Sequence, residues 1–309
     1  MGNVNIMRFR AHDTFFIRKG WLSKGIRNVQ KDPSVFMGKN GSPMDILGIG
    51  SNMVKALRYW LQAVGLTIET TVNGRRSQML TPFGELVAKF DPYIEELGTL
   101  WLLHYKLAIN QANATAWYYF FNEFRLSEFT KEDFVSQLVN YVHSNGEKIA
   151  EKSLMDDYNC IINTYLPRAK LNPEKIQPEN NIDCPLGELN LIDIVNKKEH
   201  VYKKVTPKKD AIHPFVFLAV IVDQAQGQKE IRISHIQNGL CNVGRVFNLD
   251  TITLLELLHR VELLGYIKII RTAGLDIIRI EKNVDFLSCV QNYYLSINSQ
   301  IFDMGIVSC

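Results

Sequence analysis

The residues best suited to chemistry lie near the start of the chain. His12 and Asp13 are adjacent, and a histidine beside a carboxylate can act as a general base or bind a metal ion. Four cations surround this pair: Arg8, Arg10, Arg18 and Lys19. The sequence therefore predicts a catalytic pair at His12 and Asp13 in a setting that attracts phosphate. The alternative is structural, with His12 satisfying buried backbone groups near the start of a helix.

Other groups bear on phosphodiester hydrolysis, which usually needs Mg²⁺ or Mn²⁺ held by carboxylates. Asp156 and Asp157 form an acidic pair, and Asp91 fits either a metal ligand or a helix N-cap. His104-Tyr105-Lys106 has the HxK spacing of phospholipase D-type nucleases, but the downstream Asp is absent and a helix is the better interpretation. The sequence has no PD-(D/E)xK, HNH or DEDD motif and no signal for a nucleotide, haem or zinc. Mg or Mn is expected only if the protein nicks DNA.

The elements expected to carry a DNA-binding surface are a helix and a hairpin. Apolar residues recur at helical spacing from Met53 to Val64, and Gly65 supplies the stop. Two strand-like segments then flank Asn73-Gly74, the strongest signal for a two-residue hairpin turn. Thr81-Pro82 opens another helix. Helix, hairpin and helix in this order indicate a winged-helix module, whose helix before the hairpin lies in the DNA major groove.

This module supplies the predicted DNA contacts. The exposed face of its helix is expected to carry five of them, and the hairpin tip two: Ser51, Asn52, Lys55, Arg58 and Tyr59, then Arg75 and Arg76. Such side chains contact phosphates or base edges. Gly48 and Gly50 precede the helix N-terminus, where backbone N–H groups can also bind a phosphate. The alternatives are a solvated helix face and a hairpin that contacts protein.

A second module with the same order of elements is expected near the C-terminus. Ile233–Leu240 and Thr251–Leu264 are predicted helices, and Gly265 ends the longer one. Two strands follow on either side of a turn at Thr272-Ala273-Gly274. The two modules show no close sequence repeat.

The expected fold class is mainly α with small β-hairpins, in which two winged-helix-like modules flank an aromatic-rich helical block. Prolines mark the best linker, at Pro167, Pro173 and Pro178. The expected domains are a winged-helix and helical domain at 1–170, a linker at 171–184 and a winged-helix-like domain at 185–309.

Charge is unevenly distributed along the chain. Residues 1–90 carry 13 Lys+Arg against 5 Asp+Glu, whereas residues 91–200 carry 10 against 17. A basic first third indicates a polyanionic partner such as DNA. The composition, 46% hydrophobic and 22% charged, excludes a disordered chain.

The compartment is expected to be the cytoplasm. No apolar run approaches the roughly 20 residues that span a bilayer, and the start of the chain lacks a signal peptide. Five scattered cysteines fit reduced thiols better than a disulfide framework or a zinc site. No membrane partner is expected.

Five phrases carry a family resemblance: RFRAHDTFFIRKGWLSKG, LGIGSNMVKALRYWL, DPYIEELGTLWLLHY, WYYFFNEF and DYNCIINTYL. They resemble the domain-of-unknown-function 4007 family, whose SspB-type members belong to bacterial DNA phosphorothioation clusters. The resemblance covers Phe9 to about Pro167 and thins out thereafter. One departure is Ala11-His12-Asp13-Thr14-Phe15, which stands where the family has Gly-His-Glu-Thr-Phe. The carboxylate is kept, but its reach is one methylene shorter.

The resemblance implies a DNA-binding component of a phage-defence system that replaces a non-bridging phosphate oxygen by sulfur. The protein would introduce single-strand nicks that allow sulfur insertion. Its partners would be a cysteine desulfurase, an ATPase and a PAPS-reductase-like protein. Two alternatives stay open: a non-catalytic winged-helix adaptor that recruits these partners, and a transcriptional regulator of the cluster.

Overall fold

The computed structural model describes residues 7–72, 74–167, 183–272 and 275–305. The chain is mainly helical with small antiparallel sheets, as the sequence predicts. It separates into two compact units, Met1–Val205 and Thr206–Cys309. The predicted linker at 171–184 lies outside the described residues except for its last two, and it stays a prediction.

The first unit opens with three helices, α1 (Trp21–Lys31), α2 (Pro43–Leu47) and α3 (Ser51–Ala63). The predicted apolar stripe of α3 buries Leu57, Trp60 and Leu61 completely. A hairpin follows Gly65, with strands β1 (Thr67–Val72) and β2 (Arg75–Leu80). Val72 pairs with Arg75, so the hairpin has the predicted two-residue turn, although Asn73 lies outside the described residues.

Five helices complete the helical part of this unit: α4 (Pro82–Phe90), α5 (Leu97–Ala108), α6 (Thr115–Tyr118, continued by a π-helix to Glu123), α7 (Lys131–Ser144) and α8 (Glu151–Tyr165). Thr130 begins α7 through a capping box with Asp133. His104 lies in α5, where it is fully buried and its Nδ1 is 2.7 Å from the Tyr165 hydroxyl. The HxK segment is therefore part of the core, as its helical interpretation predicts.

A small sheet closes the first unit, with strands β3 (Glu128–Phe129), β4 (Ile192–Asn196) and β5 (Val201–Lys204) in the order β3-β5-β4. Lys204 extends from β5 into the aromatic block. Its Nζ donates to the carbonyl oxygens of Phe120 and Phe124, both at 2.6 Å. Burial lowers the pKa of Lys204 to about 7 because the charged ammonium is desolvated.

The second unit contains α9 (Pro214–Ala225), β6 (Glu230–Arg232), α10 (Ile233–Asn238), α11 (Val243–Val246), α12 (Thr251–Leu263), β7 (Ile267–Thr272), β8 (Leu275–Ile280) and α13 (Phe286–Gly305). Its sheet has the order β6-β8-β7. Thr272, the first residue of the predicted turn, is the last residue of β7, and the other two, 273 and 274, lie outside the described part of the chain. No helix within the described residues is long and apolar enough to cross a membrane.

Candidate functional site

A strained turn at residues 10–15, here called the anchored loop, contains the predicted catalytic pair. Arg10, Asp13 and Thr14 have φ values of +54°, +51° and +67°. A left-handed φ costs an L-residue about 1–2 kcal/mol, and a β-branched threonine is an outlier there. Strain of this kind concentrates at functional sites and persists only where the surrounding structure holds it.

A buried hydrogen bond between a histidine and a carboxylate holds the anchored loop. His12 and Asp157 are both about 1% exposed or less, and Nε2 of His12 lies 2.6 Å from Oδ1 of Asp157. Nδ1 of His12 accepts the Thr14 N–H at 3.1 Å, so Nε2 carries a proton and donates it to the carboxylate. Asp157 also accepts the Arg10 N–H at 3.0 Å. Burial raises the pKa of Asp157, and these two hydrogen bonds oppose the increase.

Asp157, rather than Asp13, is thus the carboxylate partner of His12. The imidazole stacks on Trp60 with 5.8 Å between ring centroids, and Tyr59 and Trp117 contact it from other directions. With both nitrogens engaged and the ring enclosed, His12 fits a positioning role in this geometry. Asp13 is half-buried, and its carboxylate has no hydrogen bond or ion pair with any described residue. The predicted catalytic role of the two residues stays a prediction.

The second predicted acidic pair meets the same loop. Asp156 lies 2.8 Å from Nε of Arg10 and its side chain is 20% exposed, whereas Asp157 is buried. Two predicted clusters that are far apart in the sequence therefore contact each other. The third acidic candidate, Asp91, is buried, and its oxygens accept the backbone N–H groups of Glu95 and Glu96 at 3.0 and 3.1 Å. That is a capping role.

The anchored loop packs directly against α3. The Trp60 indole donates to the carbonyl oxygen of Phe15 at 2.8 Å. The Arg8 guanidinium lies 5.4 Å from the centroid of the Tyr59 ring and donates to Asn113. Tyr59 is only 4% exposed, so the prediction that it lies on the exposed face is wrong. Tyr59 does lie on the same face of α3 as Asn52 and Lys55, as the helical spacing predicts, but the Arg8 guanidinium covers its ring.

The remaining predicted DNA contacts are divided between free and engaged side chains. Ser51, Asn52 and Lys55 are exposed at the start of α3. Arg58 instead forms an ion pair with Glu69 of β1, which holds the pKa of that carboxyl below its usual value. Asn52, Lys55 and Tyr59 lie on one face of α3 because they are three and four positions apart. Arg8 lies over Tyr59, so it continues the polar and basic row that Asn52 and Lys55 begin.

The other predicted cations differ in their surroundings. Arg76 and Lys19 are exposed, and the Arg18 guanidinium lies 5.9 and 5.3 Å from the rings of Phe15 and Trp21. The side chain of Arg75 lies outside the described part of the structure.

Within the described residues, no group of three or more His, Cys, Asp or Glu side chains is arranged to hold a metal ion. Two carboxylates are candidates for binding an ion here, Asp13 within the anchored loop and Asp156 of α8, which contacts Arg10. The four described cysteines form no disulfide with one another: Cys160, Cys184, Cys241 and Cys289.

The fold is that of a class already represented by solved structures. A magnesium ion-bound SspB crystal structure matches with a TM-score of 0.80 and 26% identity, over 90% of this chain and 85% of that one. A second SspB crystal structure matches with a TM-score of 0.81 and 24% identity, over 97% and 90%. A family model, DUF4007 (protein of unknown function), matches residues 9–294. The chain therefore belongs to this family, as its motifs predict. No curated protein matches the chain.

Proposed function

We propose that this chain is the DNA-binding component of a bacterial DNA phosphorothioation defence system. The observation that carries the proposal is the row formed by Asn52 and Lys55 of α3 and by Arg8, which lies over Tyr59 of the same helix beside a strained loop. The likeness to SspB supports the assignment to such a system. A cysteine desulfurase, an ATPase and a PAPS-reductase-like protein are the proposed partners.

We further infer that both modules are winged helices. The second unit supports this inference most fully, because α9, β6, α10, α12 and the β7–β8 hairpin follow in winged-helix order with the sheet order β6-β8-β7. In the first unit, α3 and the β1–β2 hairpin correspond to the recognition helix and the wing.

The proposed reaction is a single-strand nick at the anchored loop. Water attacks the phosphorus and the bond to one bridging oxygen breaks. Asp13 and Asp156 are the carboxylates suited to Mg²⁺ or Mn²⁺, which commonly binds one or two carboxylates together with substrate phosphate. Such an ion would neutralise phosphate charge and lower the pKa of the attacking water. His12 is a positioning residue that fixes the turn bearing Asp13, and the nearby arginines bind the phosphate.

Incubation of the purified protein with supercoiled plasmid and Mg²⁺ or Mn²⁺ tests the proposal. We expect open-circle DNA that EDTA prevents, loss of nicking in Asp13→Asn and normal nicking in Glu151→Gln, an exposed carboxylate of α8. Wild-type protein that binds DNA without nicking it would overturn the catalytic part and leave an adaptor.

The adaptor is the second candidate because α12 exposes apolar side chains. Ile252 is 73% exposed and Leu263 is 86% exposed, and exposed apolar surface is typical of protein contacts. Co-purification with the proposed partners, abolished by Ile252→Asp, is the result expected for an adaptor.

A further inference from the structure

A cationic groove lies between α1 and α2. Eight residues line it, with three cations and one acid: Lys24, Arg27, Asn28, Lys31, Asp45, Ile46, Leu47 and Gly48. Lys24, Arg27 and Lys31 are spaced by three and four positions, so they share one helix face. Nζ of Lys24 donates to the carbonyl oxygen of Leu47 at 2.9 Å, and the other two cations are exposed. The groove therefore presents positive charge just before α3 begins.

An exposed aromatic ring stands beside this groove. Tyr93 is 62% exposed, and among the described residues it is the one strongly exposed aromatic side chain. The Arg27 guanidinium lies 5.7 Å from the centroid of its ring. Arg27 thus connects the groove to the tyrosine, and ring surface remains in contact with water.

A strained turn holds Tyr93 in this position. The next residue, Ile94, has a φ of +57°, where a β-branched residue is an outlier, and its side chain is buried. Asp91 stabilises the turn, because its carbonyl oxygen accepts the Ile94 N–H and its carboxylate accepts the next two N–H groups. Strain of this kind points to a function for the residue that the turn displays.

We propose that the groove and Tyr93 bind single-stranded DNA. Phosphates would follow Lys24, Arg27 and Lys31, and a base would stack on Tyr93. Cationic grooves with exposed aromatic rings are the usual means of holding single strands. A duplex hides the faces of its bases, so the tyrosine favours an unpaired strand. The inference rests on the proposed DNA binding and adds a site for the strand that opens at a nick.

Fluorescence anisotropy of the full chain tests this site with a labelled oligonucleotide of about 12 nucleotides and with a matched duplex. Tyr93→Ala is expected to weaken single-strand binding by about 5- to 150-fold and to leave duplex binding unchanged. Tyr93→Trp, which keeps a stacking surface, is expected to bind normally. Lys31→Glu is expected to weaken single-strand binding and reduce its salt dependence, whereas Lys198→Glu, on the exposed β4–β5 turn, is the matched charge control.

The possible outcomes distinguish a failure of the single-strand site from a failure of the proposed DNA binding. Normal single-strand binding by Tyr93→Ala, or equal losses for single strand and duplex, would overturn this inference. The proposed function survives either result if wild-type protein binds duplex. Wild-type protein that binds neither DNA overturns both. An unchanged unfolding midpoint for Tyr93→Ala is expected because the side chain is exposed.

Discussion

The two helix–hairpin modules share a backbone plan and differ in surface. Each has a 13-residue helix, a glycine with φ of +73° or +71°, and two six-residue strands joined by two residues. Ser51 and Thr251 begin the two helices, so Asn52 and Lys55 correspond to Ile252 and Leu255. The first module presents polar and basic groups where the second presents apolar ones. Two modules with the same backbone plan can therefore bind different partners.

Their cores explain why the sequence shows no repeat. Val54, Leu57 and Leu61 are buried in the first module, and Leu254, Leu257 and Val261 occupy the same positions in the second. Packing requires apolar side chains of suitable size at these positions, not identical ones. The exposed residues are under no such constraint and differ freely.

The largest expected effect comes from removing the buried partner of His12 in the first unit. Asp157→Ala leaves the Nε2–H group of the buried His12 without its acceptor, and an unsatisfied buried donor costs about 1–3 kcal/mol of unfolding free energy. All four tryptophans lie in the first unit, so urea unfolding followed by tryptophan fluorescence reports on it: Trp21, Trp60, Trp101 and Trp117.

Asp156→Ala is the matched control for that experiment. It removes only the partly exposed ion pair with Arg10, which is expected to cost about 1 kcal/mol or less. Equal losses in the two variants would show that the buried pair does not hold the loop.

Exchange of the exposed residues tests the comparison directly. Asn52→Ile with Lys55→Leu gives α3 the residues of α12, and we expect duplex affinity to fall by about 1–3 kcal/mol. Ile252→Asn with Leu255→Lys is expected to leave duplex binding intact. Anisotropy at fixed salt measures both. Equal losses from the two exchanges would mean that the modules bind DNA alike.

The pH dependence of stability should differ in the first unit because of Lys204. Its pKa is about 7 in the folded chain against an ordinary value of 10.5, so the unfolded chain holds more protons between these values. Unfolding free energy should therefore rise with pH above about 7, with a slope of at most about 1.4 kcal/mol per pH unit. Urea unfolding between about pH 6.5 and 8.5 checks this slope, which should vanish in Lys204→Met.

The corresponding group in the second unit is His213, and its effect should be smaller because the ring is half-buried. Burial lowers the pKa of His213 to about 4 from 6.5, and Nδ1 accepts the Phe215 N–H at the start of α9. Its contribution to stability is complete above about pH 6.5 and decreases as the pH falls towards 4. An NMR titration of the ring C–H signals should give a midpoint near 4; a midpoint near 6.5 would contradict the burial.

Local signals made the modules predictable, whereas contacts between distant residues were not. Gly65 and Asn73-Gly74 specify a stop and a turn within a few residues. No local signal pairs His12 with Asp157, which lies 145 residues further along the chain. The adjacent acids Asp156 and Asp157 could be recognised in the sequence, but their contact with the anchored loop could not. The cover of Tyr59 by Arg8 and the pairing of β3 with β5 likewise depend on tertiary packing.

The β3-β5-β4 sheet has a consequence for a chain cleaved within residues 168–182. β3 precedes that segment, and β4 and β5 follow it, so strands from both sides hydrogen-bond to one another. Lys204 adds two bonds to carbonyl groups of the preceding part. Proteolytic fragments would therefore elute together in gel filtration until denaturant separates them. The segments before and after residues 168–182 thus complete one sheet together. When they are expressed as separate chains, we expect them to reassemble.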